Sequence, residues 1–216
     1  MPDISPIYFI GLMVILGLLP FMVMMVTSYA KIVVVTTLVR NALGVQQIPP
    51  AMVMNGIAII LTIFVMAPVV SQSYQLVNQL KLSPKPQPTE LFEAAISALP
   101  PLEAFLSRNT DHHIRRHFIM AAQRIWPAEL SKNLGDNSFL ILIPSFVITE
   151  LTEAFKIGFL LYLPFIAIDL IISNILLAMG MMMVSPMTIS LPFKLLLFVT
   201  LEGWLKICQG LMYSYA

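Results

Sequence analysis

Long uncharged stretches alternate with a single polar stretch along this chain. Residues 4–30 carry no charge, and these 27 positions exceed the roughly 20 an apolar helix needs to cross a bilayer. Gly17 and Pro20 interrupt the run, which predicts a kink near its middle. Lys31 and Arg40 follow with no acid between them. A second uncharged stretch covers residues 41–80. Its apolar part, 51–70, begins behind Pro49-Pro50, a pair suited to the first helical turn, where N–H groups lack intrahelical partners anyway. Pro68 is expected to end or bend that helix.

Between residues 71 and 137 the pattern changes. This stretch holds seven of the twelve basic residues, six of the eleven acids and all three histidines. It reads as the water-facing part of the chain. Residues 83–89, Ser-Pro-Lys-Pro-Gln-Pro-Thr, predict a turn or extended linker. Thr89 is placed to cap a helix from Glu90. Pro100-Pro101 separates 91–99 from a second helix around 102–106, and 114–124 has the period of a third amphipathic helix.

From residue 138 apolar texture returns, in pieces at 139–149, 157–168, 170–184 and 191–212. Pro144, Pro164, Pro186 and Pro192 break it, as do scattered charges. The expected fold is all-α: membrane-associated helical hairpins, 1–70 and 138–216, around a small helical extracytoplasmic domain, 71–137. Four spans are expected, two on each side of the polar part. Basic residues in short loops favour the cytoplasmic side, which assigns the loop with Lys31 and Arg40, and the turn before Lys194, to that side.

Composition supports the membrane reading. Of 216 residues, 58% are hydrophobic and 11% charged, less than half of a soluble domain's usual share. A soluble chain of this length could not hide that much apolar surface. The net charge of +1 offers no basic surface for nucleic acid. Cys208, the single cysteine, excludes a disulfide within one chain and reads as a small buried hydrophobe. Met1-Pro2-Asp3 has no positive segment, so the first apolar run is expected to remain as an anchor rather than be cleaved.

Charges inside apolar segments are costly and usually face a partner or water. Glu153 and Lys156 are spaced i,i+3, and Glu202 and Lys206 i,i+4, for local pairing. Glu150, Asp169 and Lys194 have no obvious local partner. Pairing between helices or subunits is the expected solution, since a lone lipid-facing Asp169 would cost about 2.5–3.5 kcal/mol. A proton or ion relay is the functional alternative.

Residues 178–186, Ala-Met-Gly-Met-Met-Met-Val-Ser-Pro, hold four of the fifteen methionines. Gly180 and Pro186 bracket the run and predict a bend. Methionine is long, unbranched and deformable. The run is thus either ordinary packing or, repeated around an axis, a dry apolar constriction.

Little catalytic chemistry is visible. His113 and His117 are spaced i,i+4, but they and His112 lack a third ligand and an HExxH pattern, and Arg115 and Arg116 disfavour a cation beside them. No P-loop, dinucleotide turn or Gly-x-Ser-x-Gly occurs. No cofactor, metal or catalytic residue is assigned, and an enzyme is not expected.

Several segments together resemble the R-type subunit of type III secretion systems, the family that includes flagellar FliP. They are Val39-Arg40-Asn41-Ala42-Leu43-Gly44 with Gln46-Gln47-Ile48-Pro49-Pro50; Glu153 to Phe159; Leu163-Pro164-Phe165; Ile168-Asp169-Leu170; Met179 to Met183 with Ser185-Pro186; and Leu191 to Leu195 with Gly203-Trp204. The matches cover both hydrophobic halves, while the polar middle matches poorly.

The resemblance implies a non-catalytic pore subunit of the export gate in the bacterial inner membrane. Several copies would assemble with the S and T subunits into a helical cone reaching toward the periplasm. The U subunit and inner rod or needle proteins would adjoin it, and unfolded proteins would pass along its axis. Met181, Met182 and Met183 would form the gasket of the closed channel. Glu150, Glu153, Lys156, Asp169, Lys194, Glu202 and Lys206 become candidates for pairing between helices or subunits, and apolar segments then pack on sister subunits as well as lipid. The flagellar branch commonly has an N-terminal signal sequence and a different version of the Gln46-Gln47 loop, so an injectisome is favoured over a flagellum. A proton-coupled solute transporter remains the alternative.

Overall fold

A computed structural model describes residues 6–45, 48–80, 87–127, 129–130, 135 and 138–216. Its elements are α1 (Pro6–Met25), α2 (Tyr29–Ala42), α3 (Ala51–Gln79), α4 (Pro88–Ser97), α5 (Pro100–Arg108), α6 (His112–Ile125), α7 (Phe139–Ala178), α8 (Pro186–Thr200) and α9 (Gly203–Tyr213). Among the described residues there is no strand, so the chain is all-α.

The helix breaks do not fall where proline suggests. Gly17 and Pro20 lie inside α1, and the chain bends instead at residues 26–28, by 68° between α1 and α2. Thr27 and Ser28 are weak helix formers, and Val26 packs beside Leu106, Leu142 and Phe146, which draws the elbow toward α5 and α7. Pro68 likewise neither ends nor replaces α3, which continues to Gln79, across the boundary drawn at residue 70. Its start is as expected, directly behind Pro50. In α4 the first turn begins at Pro88 with Gln87 as cap, so Thr89 is inside the helix rather than capping it. Residues 83–86 of the linker lie outside the described residues.

The largest departure is α7. The separate pieces expected over 139–178 form one 40-residue helix through Pro144 and Pro164. Proline removes a backbone hydrogen bond, but an apolar setting favours keeping the remainder of the helix, and hydroxyls near Pro144 add bonds to neighbouring carbonyls. Ser145 Oγ donates to Ile141 O at 2.6 Å, and Thr149 Oγ1 to Ser145 O at 2.8 Å. Residues 191–212 also split, into α8 and α9, with a 58° bend at Leu201-Glu202. Glu202 stands at φ +52°, the left-handed region, which a non-glycine residue rarely adopts.

Helix α2 runs along α7 and forms the centre of the packing. Ile32, Val35, Val39 and Ala42 are buried there with Ala154 and Phe165 of α7, and with Phe198, Ile207 and Leu211 of α8 and α9. The helices approach closely at Gly158: a Cβ there would sit 2.3 Å from Leu38 Cδ1. Small residues at a crossing are how apolar helices associate without a hydrophobic drive from water. Among the described residues α3 and α7 qualify as membrane spans by length and composition, and four spans result if each bent pair, α1–α2 and α8–α9, counts as one. Lys31, Arg40 and Lys194 lie within helices α2 and α8 rather than in loops.

Candidate functional site

The methionine run is a turn between α7 and α8, and local backbone chemistry puts it there. Helix α7 ends in a glycine cap: Gly180, at φ +72°, donates to Leu177 O at 3.0 Å, and Met181 N–H to Leu176 O at 2.9 Å. That paired pattern closes a helix and needs a left-handed residue at the glycine position. On the other side Pro186 opens α8, where its missing N–H costs nothing. Between them the methionines project outward. Met183 is fully exposed and Met182 82% exposed, while Met181 is 43% exposed.

Below this tip the hairpin is tied by charge. Lys194 Nζ of α8 lies 2.5 Å from Asp169 Oδ2 of α7 and donates to Ala42 O, at the carboxyl end of α2, at 3.3 Å. A cation there also meets the negative end of the α2 dipole. Ser190 Oγ donates to the other Asp169 oxygen at 2.6 Å. Three helices thus meet on one ammonium group, which is 4% exposed.

A second ion pair ties the opposite end. Lys31 Nζ of α2 lies 2.9 Å from Oε1 of Glu150 in α7, out of line for a hydrogen bond to that oxygen, and both side chains are buried. Tyr215 O–H donates to Glu150 Oε2. The same Tyr215 ring lies 4.4 Å from the Lys31 ammonium and stacks on Phe105 of α5 at 5.9 Å. The chain's C-terminal end is therefore fastened to α2, α5 and α7 at one point. Sequence reading did not single out Tyr215 or Ser190, and treated Lys31 only as a loop charge. Tyr215 meets Glu150 across 65 positions, a separation without local signal. Ser190 is i−4 to Lys194, a spacing that does put both on one face of α8.

Other predicted charges are placed differently. Glu153 and Lys156 pair on the exposed side of α7 at 2.8 Å. Glu202 and Lys206 are joined only through the backbone, Lys206 N–H donating to Glu202 O at 3.1 Å, with no ion pair between their side chains. Glu202 forms the α8–α9 joint instead.

The histidines lie on α6. His113 and His117 rings meet edge to face at 4.6 Å, and Asp111 caps the helix by accepting from His113 N–H at 2.6 Å and Ile114 N–H at 3.3 Å. Those two bonds hold the Asp111 carboxyl below its ordinary value. Among the described residues no three metal-ligating side chains gather. Arg115 is buried and donates to Ser107. Cys208 is a half-buried free thiol.

Comparison with known proteins agrees along nearly the whole chain. It is 51% identical over 203 residues to the Yop proteins translocation protein R of Yersinia pestis, covering 93% of this chain and 92% of that one. It is 47% identical to the hypersensitivity response secretion protein HrcR of Ralstonia nicotianae, covering 94% of each. With the virulence protein YscR of Salmonella typhimurium it shares 44% identity over 216 residues, 100% of this chain and 99% of that one. The sequence profile of the FliP family matches residues 12–211, a span that takes in the Lys31–Glu150 pair, the methionine turn and the Asp169–Lys194 staple: the chain belongs to the FliP family.

Proposed function

We propose that this protein is a pore-forming subunit of a type III secretion export gate, without catalysis of its own, conducting unfolded proteins across the bacterial inner membrane. Its relatives are named as translocation and secretion proteins, which supports membership of a secretion apparatus. The observation that carries the pore reading is the α7–α8 hairpin. Its base is fixed by an ion pair whose lysine is buried and bonded to a third helix, while three thioether side chains stand exposed at its tip. Apolar groups held that far from any core call for neighbours, and several copies around an axis would let them meet as a ring. Such a ring is dry enough to stop ions, and methionine deforms around a passing chain.

The outer faces of the helices support assembly. Phe155, Phe159, Leu163, Leu170 and Ile171 of α7 are exposed, as are Phe21 and Met22 of α1. Contiguous apolar surface of this extent marks contact with lipid or protein. Sister copies and the S and T subunits of the gate, with the U subunit and rod proteins adjoining, are the proposed cover, together with membrane lipid.

The test is to replace Met181, Met182 and Met183 by alanine in the assembled complex. Membranes carrying it should leak small ions while the complex purifies with unchanged stoichiometry. A variant complex that stays as tight as wild type would overturn the gasket assignment.

A further inference from the structure

Beside the hairpin base, on the α2–α3 side, a groove of about 730 Å³ is lined by Arg40, Asn41, Gly44, Val45, Pro50, Ala51 and Met187. Its charge is unbalanced. Lys31, Lys156 and Lys194 each have a carboxylate within 3 Å. Arg40 has none among the described residues, and its one bond is a long contact of 3.5 Å from Nη1 to Pro49 O. A guanidinium stays charged at every accessible pH and presents five donors, so most of its capacity is unspent. The group is only partly exposed and borders apolar side chains, a setting in which an unpaired charge is costly.

What the groove lacks is an anion, and its walls say which kind. Arg40 offers planar donors on one side, the geometry that phosphate oxygens match, with Asn41 beside it in the lining. Pro50, Ala51 and Met187 make the other side apolar. The groove opens at the start of α3, whose outer face then runs on through Met52, Ile59, Ile60 and Ile63, all exposed, on a helix apolar enough to span a membrane. A polar head and an apolar tail would each find their match along one line.

We propose that the Arg40 groove binds the phosphate of an anionic phospholipid, with its acyl chains lying along α3. The ligand chemistry is that of a phosphate anion, and a free phosphate is the other source to be separated from the lipid. Arg40 here is a binding residue beside the α7–α8 hairpin, and its readout is lipid retention rather than ion leakage, so the proposal stands or falls separately from the gasket.

The experiment compares the purified full-length protein in nanodiscs of phosphatidylcholine alone and with phosphatidylglycerol added, reading thermal unfolding and retention of a labelled phosphatidylglycerol. Wild type should unfold at higher temperature with phosphatidylglycerol. Arg40→Gln should weaken retention of the labelled lipid by about tenfold, the size of a charge-assisted pair of bonds, while Arg40→Lys keeps part of it. Asn41→Ala, at an exposed position, should weaken it less and provides a folded control. If inorganic phosphate on phosphatidylcholine discs reproduces the whole shift, the site takes the free anion and the lipid assignment is overturned. The proposal also fails if Arg40→Gln and Asn41→Ala retain phosphatidylglycerol as wild type does.

Discussion

Glu150 is fully buried, and its two oxygens face two different groups: Lys31 opposes one, and Tyr215 donates to the other. Removing one partner of a buried pair leaves a charge uncompensated, at a cost of about 3–5 kcal/mol, whereas replacing both by apolar groups is often near neutral. Glu150→Ala or Lys31→Met alone should therefore lower unfolding stability in micelles by about that much, and Lys31→Met with Glu150→Leu by far less than the sum. Tyr215→Phe keeps the ring over Lys31 and against Phe105 but removes the donor to a carboxylate, for a loss of about 1.5–3 kcal/mol. Tyr215→Ala should cost more, since the cation–π and ring contacts go as well. A double-mutant cycle of Lys31→Met with Tyr215→Phe, which keeps the ring over Lys31, would show coupling through the shared carboxylate; strict additivity would refute that.

Helix ends, by contrast, are local affairs, and here the sequence was readable to different depths. The start of α3 behind Pro49-Pro50, the break at Pro100-Pro101 and the glycine cap at Gly180 each follow from the backbone chemistry of a few adjacent residues. The proline-containing helices did not: Pro20, Pro68, Pro144, Pro164 and Pro192 remain inside apolar helices, where an apolar setting favours keeping every other backbone bond. The elbow at 26–28 was illegible for the opposite reason: its cause is Val26 packing on distant α5 and α7. Two predictions belong to single elements. Gly158→Val would drive a side chain into Leu38, so the α2–α7 crossing should loosen by about 1–3 kcal/mol, with Leu38→Ala restoring part of it in a melting comparison. Helix α6 should depend on pH through Asp111. Its folded value is lowered, so the cap's contribution is present above the unfolded value near about 3.9 and fades as pH falls through the folded one. Protection of the His113 and Ile114 amides, measured against the intrinsic exchange rate at each pH, should fall at acid pH in wild type, and Asp111→Ala should already lack that protection at neutral pH.

At the scale of the molecule, a low charge fraction and four apolar blocks announced a membrane subunit, but the organisation of its charges depends on contacts across α2, α7 and α8. Asp169 and Lys194 are 25 positions apart, and the third partner, Ala42 O, lies 152 positions from Lys194. That third contact sharpens the distinction between a structural staple and a proton relay. Were the pair a symmetric ion pair alone, exchanging the two charges would restore it. Here the exchange would point a carboxylate at the Ala42 carbonyl and at the negative end of α2, both repulsive. Asp169→Lys with Lys194→Asp should therefore recover only part of the stability that either single change loses. Asp169→Asn keeps one acceptor for Lys194 and turns an NH2 donor to the Ser190 hydroxyl, but leaves the Lys194 charge without its counterion, so it should lower the melting temperature of the assembled complex while leaving the pH dependence of transport as in wild type. A relay makes the contrary demand: transport in Asp169→Asn would lose its coupling to the proton gradient with the complex still intact. Measuring both melting and gradient-dependent transport on the same preparation separates the two, because a staple moves the first quantity and a relay the second.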